Sequence, residues 1–355
     1  MRYIPIQYLK EGMVLAKPIF NANGDVLLAQ GAKIRLSYIT RLSNLVRGVY
    51  VEDNLSEGIV IKDIISDKIK VDAVRRLKDI YEHPAKENSF QLNSCRLILE
   101  NIIDEMLSNK NLMVNLIDIK TYDDYTFYHS VNVAILSIII GSTLYFDRLK
   151  LYKLALGAMF HDIGKTFIPN EILNKPGKLT PDEFEVIKTH AFKGFDYSKN
   201  VLKLSTTSYM GILHHHEKWD GTGYPNNLKG DDISLFGQII SIADVYDAIT
   251  SKRPYKDATL PSEAIELLMA SSGSSFNPLL VKKFISKIAP YPVGLSVELS
   301  SGEQGIIMEN FSDAPMRPLV KVVYVYDSPL EEPYLIDLKS DYSCLNKTIV
   351  KVINL

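Results

Sequence analysis

The chain has 355 residues, a formal net charge of −2, and 46% apolar and 23% charged residues. That length suits two or three domains of an ordinary globular protein. The near-zero charge offers no global attraction to a nucleic-acid polymer or an anionic membrane, so an anionic substrate must be caught by a local basic patch.

The N-terminus, Met1 to Pro5, lacks the apolar core of a signal peptide. Met13 to Phe20 reads as a strand, Asn21-Ala22-Asn23-Gly24 as a tight turn, and Val26 to Leu28 as the returning strand. Ser37 is placed to cap a short helix running towards Leu45, and Val49 to Val51 closes the unit. Residues 1–60 are therefore expected to form a β-rich domain, regulatory or structural, with no cluster of chemical groups. Residues 61–118 read as a helical linker. Within it Cys95, Ile98, Ile102 and Met106 recur at helical spacing, as a face packed on the next domain or as the seam of a homodimer.

From 119 to 290 helix follows helix, so the chain is mainly α. The apolar run Val131 to Tyr145 is interrupted by Asn132, Ser137 and Ser142 and falls short of the ~20 residues of a bilayer span, so a buried helix and no membrane span are expected. Thr180-Pro181-Asp182-Glu183 and Pro261-Ser262-Glu263 are helix starts, and Asp220 to Pro225 is loop. Residues 291–355 alternate, at Ser296 to Leu299 and Val320 to Val325, with Gly302 and Gly305 as turns; a small antiparallel β extension is expected. The two cysteines, Cys95 and Cys344, lie in no ligand spacing, which argues against a disulfide framework or a structural zinc site and fits a cytoplasmic setting.

The chemistry concentrates in the helical stretch. Six of the seven histidines lie between His129 and His216. Imidazoles and carboxylates in such density suit a two-metal hydrolytic site. His161-Asp162 follows an apolar helix and is itself followed by Gly164 and Lys165. His215-His216-Glu217 sets two imidazoles side by side, which repel when protonated and are relieved by a metal; His214 is the spare of that row. Asp244 is a ligand candidate, and Asp247, one turn on, could orient a ligand by hydrogen bonding. Arg253-Pro254-Tyr255-Lys256 offers a planar fork and a point charge to phosphate.

Together these blocks resemble the HD-GYP family, a branch of the HD-domain metal-dependent phosphohydrolases. The resemblance runs from about Tyr122 to Pro292. It is carried by Tyr125 to Val133, His161-Asp162-Ile163-Gly164-Lys165, Ile172 to Thr180, His215-His216-Glu217-Lys218, Asp220-Gly221-Thr222-Gly223-Tyr224-Pro225, Ile242 to Ala248 and Arg253-Pro254-Tyr255-Lys256. It implies an HD-type helical bundle that hydrolyses a cyclic dinucleotide, most often cyclic di-GMP, to linear pGpG or on to GMP.

Carried over residue by residue, the resemblance implies that His129, His161, Asp162, His190, His215, His216 and Asp244 are metal ligands, with Asp162 bridging. Lys165 would reach the scissile phosphate, Tyr224 would line the pocket, Arg253 and Lys256 would hold phosphates, and Asp123 would touch a guanine edge. Some members place a glutamate four residues before the first histidine and bind a third metal. Tyr125 stands there, so two divalent ions are expected; the mixed nitrogen and oxygen donors suit iron, manganese, nickel or zinc, and iron or manganese is expected. The proline that usually follows the fourth-helix histidine is replaced by Ala191. The implied mechanism is in-line attack on phosphorus by a hydroxide bridging the two ions, without a covalent protein nucleophile. Alternatives are a cyclic GMP-AMP phosphodiesterase, a mononucleotide hydrolase (which would lack the Gly-Tyr-Pro loop) and a non-catalytic receptor, whose usual mark is a lost ligand.

Overall fold

The computed structural model describes residues 1–21, 25–43, 45–46, 48–82, 88–109, 113–114, 125–251 and 259–355. They divide into two compact units. One comprises Met1–Ile64, Asn111–Tyr125 and Ile285–Leu355; the other comprises Ile65–Lys110 and Thr126–Phe284.

The first unit is built from short strands. β1 (Arg2–Pro5), β2 (Val14–Leu15) and β5 (Gly48–Glu52) form a sheet in the order β1-β5-β2, and β3 (Ile19–Phe20) pairs with β4 (Val26–Leu28). The expected strand from Met13 to Phe20 is two strands. Pro18 interrupts it, because proline has no N–H to give to a ladder. Helix α1 (Leu36–Leu42) starts after Arg35, with no side-chain cap, so Ser37 lies inside the helix rather than capping it, and the helix stops short of Leu45. β1 went unread in the sequence: four residues ending in proline carry no measurable period, yet Ile4 pairs opposite Val49 in the ladder.

β6 (Ser296–Leu299), β7 (Glu303–Glu309), β8 (Leu319–Val325), β9 (Ser328–Asp337) and β10 (Ile349–Val352) form an antiparallel sheet in the order β10-β6-β7-β8-β9. Val297, Leu299, Ile307, Val320, Val322 and Ile336 fill its core. Gly302 makes the expected turn, with φ +88°. Gly305 does not; it sits within β7 at a break in register, where a Cβ would lie 2.4 Å from the Lys321 carbonyl oxygen. Both ends of the chain meet in this unit. The Tyr3 N–H donates to Gly294 O at 2.9 Å, and Lys321 Nζ donates to Glu57 O at 2.9 Å.

The second unit is helical: α2 (Asp67–Glu82), α3 (Asn88–Ser108), α4 (Tyr125–Thr143), α5 (Arg148–Met159), the short α6 (Asn170–Leu173), α7 (Pro181–Asn200), α8 (Thr206–His214), α9 (Leu235–Thr250), α10 (Pro261–Ala270) and α11 (Pro278–Ile285). Cys95, Ile98, Ile102 and Met106 on α3 are all buried inside it, which is the packing role of that stripe. α4 is long and apolar enough to cross a membrane by composition alone, but 72% of Thr126–Thr143 is buried within the protein. A helix that is apolar all round belongs in a core, which agrees with the expected buried helix. α7 starts as its sequence demands. The Thr180 side chain accepts from the Glu183 N–H, the Glu183 carboxylate accepts from the Thr180 N–H, and Pro181 needs no partner.

The turn after α5 is pressed directly onto α7. A Cβ on Gly164 would lie 1.9 Å from His190 O and 2.6 Å from Gly194 N, both backbone atoms that cannot swing aside. Only glycine permits this approach, and it sets the distance between the 161–165 turn and His190. Gly164→Ala should therefore destabilise the protein by about 2–3 kcal/mol, read from denaturant unfolding; an unchanged midpoint would show that the contact is looser than the geometry implies.

Candidate metal centre

Five elements of the helical unit deliver the site. α4 carries His129. The turn after α5 carries His161 and Asp162, and Lys165 lies in the 3₁₀ turn that follows. α7 carries His190, the end of α8 leads into His215 and His216, and α9 carries Asp244 and Asp247. The candidate ligand atoms gather in two groups: Asp162, His190, His215 and His216 in one, and His129, His161 and Asp244 in the other, each group lying within 4.8 Å of itself. All seven residues singled out as ligands in the sequence are thus brought together.

The orientation of the rings is fixed by what their other nitrogen meets. His161 Nδ1 lies 2.7 Å from Ala158 O, His190 Nδ1 2.7 Å from Ile187 O and His215 Nδ1 2.6 Å from Ile212 O. In each case the partner is the carbonyl three residues back. A carbonyl can only accept, so each Nδ1 bears the proton and each Nε2 keeps its lone pair. The lone pairs of His190 and His215 converge, with their Nε2 atoms 3.4 Å apart, and His216 Nε2 lies 3.1 Å from His190 Nε2. Among the described residues, His161 Nε2 and Asp162 Oδ1 are buried without a hydrogen-bond partner. Unprotonated nitrogens that face one another in a buried space repel unless a cation lies among them, and buried orphan polar atoms call for an occupant. The residues present therefore fit divalent metal ions.

Asp162 faces both groups. Its Oδ2 lies 3.3 Å from His161 Nε2, and its Oδ1 lies 3.4 Å from His190 Nε2 and 3.9 Å from His215 Nε2. A carboxylate with one oxygen towards each set of donors is the arrangement a bridging ligand needs. Lys165 Nζ sits 2.5 Å from the same Oδ2. Burial opposes the Asp162 charge, but Lys165 and the neighbouring imidazoles outweigh it and hold the carboxyl well below its usual range.

The histidines differ in their protonation. Burial, reinforced by the other imidazoles, pushes His215 well below its ordinary value; His216, also chiefly through burial, falls to about 3, and burial lowers His190 as well. These three are neutral and ready to ligate. His129 is the exception. Burial works against its charge, but hydrogen bonds to Asp244 and Asp247 prevail and raise it to about 9. Its Nδ1 lies 2.7 Å from Asp247 Oδ2 and its Nε2 3.1 Å from Asp244 Oδ1. Asp247 also accepts from Asn132 Nδ2 at 2.8 Å, so it orients the ring, as its spacing from Asp244 suggested.

Tyr224 reaches the centre from the Gly-Tyr-Pro loop and stacks on His216, with centroids 4.7 Å apart. Asp123, Arg253 and Lys256 lie outside the described residues. His214, the spare, takes a structural role: its Nδ1 accepts the Ser234 N–H at 3.1 Å, at the start of α9. Two residues went unsuspected in the sequence. Tyr81 on α2 packs edge-on against Phe127 at 5.5 Å and stacks on Phe160, beside His129 and His161, and burial raises its hydroxyl far above the usual range. Glu217 is buried, with both carboxylate oxygens bound to the backbone of the Gly-Tyr-Pro loop.

Residues 104–280 match the model of the HD domain. The chain is 37% identical over 236 residues to a cyclic di-GMP phosphodiesterase of Pseudomonas aeruginosa, a match covering 66% of this chain and 57% of that protein. It is 35% identical over 191 residues to a cyclic di-GMP phosphodiesterase of Thermotoga maritima, covering 52% of this chain and 50% of the relative. The chain thus spans only half or a little more of these relatives. A shorter match, 45% over 127 residues, is to a 3'3'-cGAMP-specific phosphodiesterase of Vibrio cholerae, covering 34% of this chain and 24% of the relative. Among solved structures, an HDG"Y"P protein of Bdellovibrio bacteriovorus superposes with a TM-score of 0.54 at 21% identity, over 79% of this chain and 97% of that one; this likeness speaks for the fold.

The charge state of His129 gives a test. With its pKa at about 9, the metal-free ring is protonated at pH 7, and a metal must displace that proton. Metal affinity should therefore rise with pH, by up to about tenfold per unit until pH 9, and flatten above it. Calorimetry in buffers of different ionisation enthalpy checks this; affinity that falls or stays level from pH 7 to 9 would contradict it. Asp247→Ala should weaken metal binding by about 10–100-fold without removing a ligand.

Proposed function

The chain belongs to the HD-domain family, and on that premise we propose that it is a metal-dependent phosphodiesterase that hydrolyses cyclic di-GMP to pGpG or GMP. The observation that carries the reading is the Asp162 carboxylate set between two groups of imidazoles, among which His161, His190 and His215 spend their Nδ1 hydrogens on backbone carbonyls and turn Nε2 towards it. Divalent ions bound among these residues, for which iron or manganese is proposed, would supply Lewis acidity and activate a water at neutral pH.

The protein's own groups supply the rest. His190, His215 and His216 with Asp162 would hold one ion; His129, His161 and Asp244, with Asp162 facing them, would hold the other. Asp247 fixes the His129 ring. The Lys165 side chain is 36% exposed, so its ammonium can turn from Asp162 to a phosphate oxygen as charge builds there. Tyr224 walls the pocket beside His216 and leaves a planar face for a base. Arg253 and Lys256 are proposed to grip phosphate and Asp123 a guanine edge. The relatives named as cyclic di-GMP phosphodiesterases support this substrate. The relative specific for 3'3'-cGAMP supports cyclic GMP-AMP as the second reading, since guanine and adenine differ at only a few edge contacts.

Chromatography of products after loading with iron or manganese tests the proposal. The parent protein should convert cyclic di-GMP, and the double variant His161→Ala, Asp162→Ala should lose turnover by at least about a thousandfold. Turnover of neither cyclic dinucleotide by the parent, or full activity in the double variant, would overturn it. Because Tyr125 stands where a third-metal glutamate would be, metal analysis should give two ions per chain; three would refute that count.

A further inference from the structure

The carboxylate of Glu217 presents a problem of its own. It is 2% exposed, and among the described residues no lysine or arginine pairs with it. A lone buried carboxylate is costly unless it is hydrogen-bonded, and charge-assisted bonds from backbone N–H groups are the usual remedy. Here Glu217 Oε1 accepts the Asn226 N–H at 2.7 Å and Oε2 accepts the Leu228 N–H at 3.0 Å. One side chain therefore gathers the far limb of a loop that begins at its own neighbour and carries no helix or strand between Lys218 and Lys229.

Glu217 adjoins His216, which invites reading it as a ligand. Its geometry speaks against that, because both oxygens are committed to the loop and it belongs to neither ligand group. What it holds is informative. The loop folds so closely onto residues 217 and 218 that a Cβ on Gly223 would lie 2.3 Å from Lys218 N and 2.5 Å from Glu217 Cα. Tyr224, next in the chain, gives its N–H to His216 O at 3.2 Å and lays its ring on the His216 imidazole. Lys188 Nζ lies over the Tyr224 ring at 5.7 Å from its centroid. Other ties lie at the loop's base, where the Trp219 and Asp220 N–H groups donate to Ser275 O and Ser274 O and the Gly230 N–H donates to Trp219 O at 3.0 Å, in its first turn, where the Gly221 N–H donates to Lys218 O, and at its tip, where Asn227 Nδ2 donates to Gly223 O.

We propose that Glu217 is a positioning residue whose buried carboxylate clamps the loop through Asn226 and Leu228, and so keeps Tyr224 stacked on His216 as a preformed wall for the substrate. The clamp stands on geometry alone; its consequence for the cyclic dinucleotide rests on the function proposed above. Glu217 belongs to neither ligand group, and both its oxygens are bound by the loop. Its loss should leave the metals in place and set the wall loose, so the penalty falls on substrate binding.

The test uses the whole 355-residue chain, metal-loaded. Glu217→Gln keeps the volume and one acceptor but turns an amide N–H₂ towards a backbone N–H. Hydrogen exchange should quicken at Asn226 and Leu228 by at least about tenfold, with the peptide around His190 unchanged and two metals retained. The chain's single tryptophan, Trp219, lies in this loop, and its fluorescence should shift in step. KM for cyclic di-GMP should rise about tenfold while kcat falls less than threefold, and the effect should be less than additive with Tyr224→Ala. Asn227→Gly, which keeps the positive φ of 55° but removes the bond to Gly223 O, should move KM and exchange the same way by less, and it serves if Glu217→Gln does not fold. Unchanged exchange, or faster exchange with unchanged KM, would overturn the proposal. Should the parent turn over no cyclic dinucleotide, the substrate reading fails, while exchange and Trp219 fluorescence still decide whether the clamp exists.

Discussion

Lone pairs on buried imidazole nitrogens that converge on one small space are the constraint on which this site depends. Three histidines spend their Nδ1 hydrogens on the carbonyl three residues earlier, and a fourth spends its own on Asp247. In the first three that commitment leaves Nε2 with one use, as an acceptor towards a cation; in His129 the Nε2 faces Asp244, and a metal must displace its proton. Removing charge by burial lowers the proton affinity of His190, His215 and His216 but does not relieve their mutual repulsion. A divalent ion does both at once.

The fold serves that constraint through close backbone approaches. The 161–165 turn can rest on α7 because residue 164 is glycine, and this brings Asp162 within reach of His190. The buried length of α4 presents His129 from the other side, and α9 carries Asp244 and Asp247 one turn apart so that one can ligate while the other steers the ring. The Gly-Tyr-Pro loop is attached by a different device, a buried carboxylate that pairs with no lysine or arginine among the described residues.

The ligand set was legible in the sequence because metal chemistry leaves few alternatives. Histidines and aspartates in ordered blocks, with Gly164 and Lys165 beside His161-Asp162, single themselves out. Helix α7 was legible through its cap, and α4 through a long apolar run interrupted by Asn132, Ser137 and Ser142. Other features were hidden for physical reasons. β1 is too short to show a period, and a glycine at a register break reads like a glycine in a turn, as at Gly305. Ser37 has the chemistry of a cap but sits inside α1. Glu217 looked like the tail of a histidine pair, because its partners are main-chain amides nine and eleven residues away that no side-chain pattern announces. Tyr81 belongs to a helix outside the motif blocks and meets the site only through packing.

The central claim is most directly tested by anomalous diffraction at the metal absorption edge from crystals of protein loaded with manganese or iron. Two peaks about 3.5–4 Å apart are expected, one among His190, His215 and His216 and one among His129, His161 and Asp244, with Asp162 contributing an oxygen to each. A single peak, or peaks away from these residues with the imidazole nitrogens still facing one another, would contradict the account.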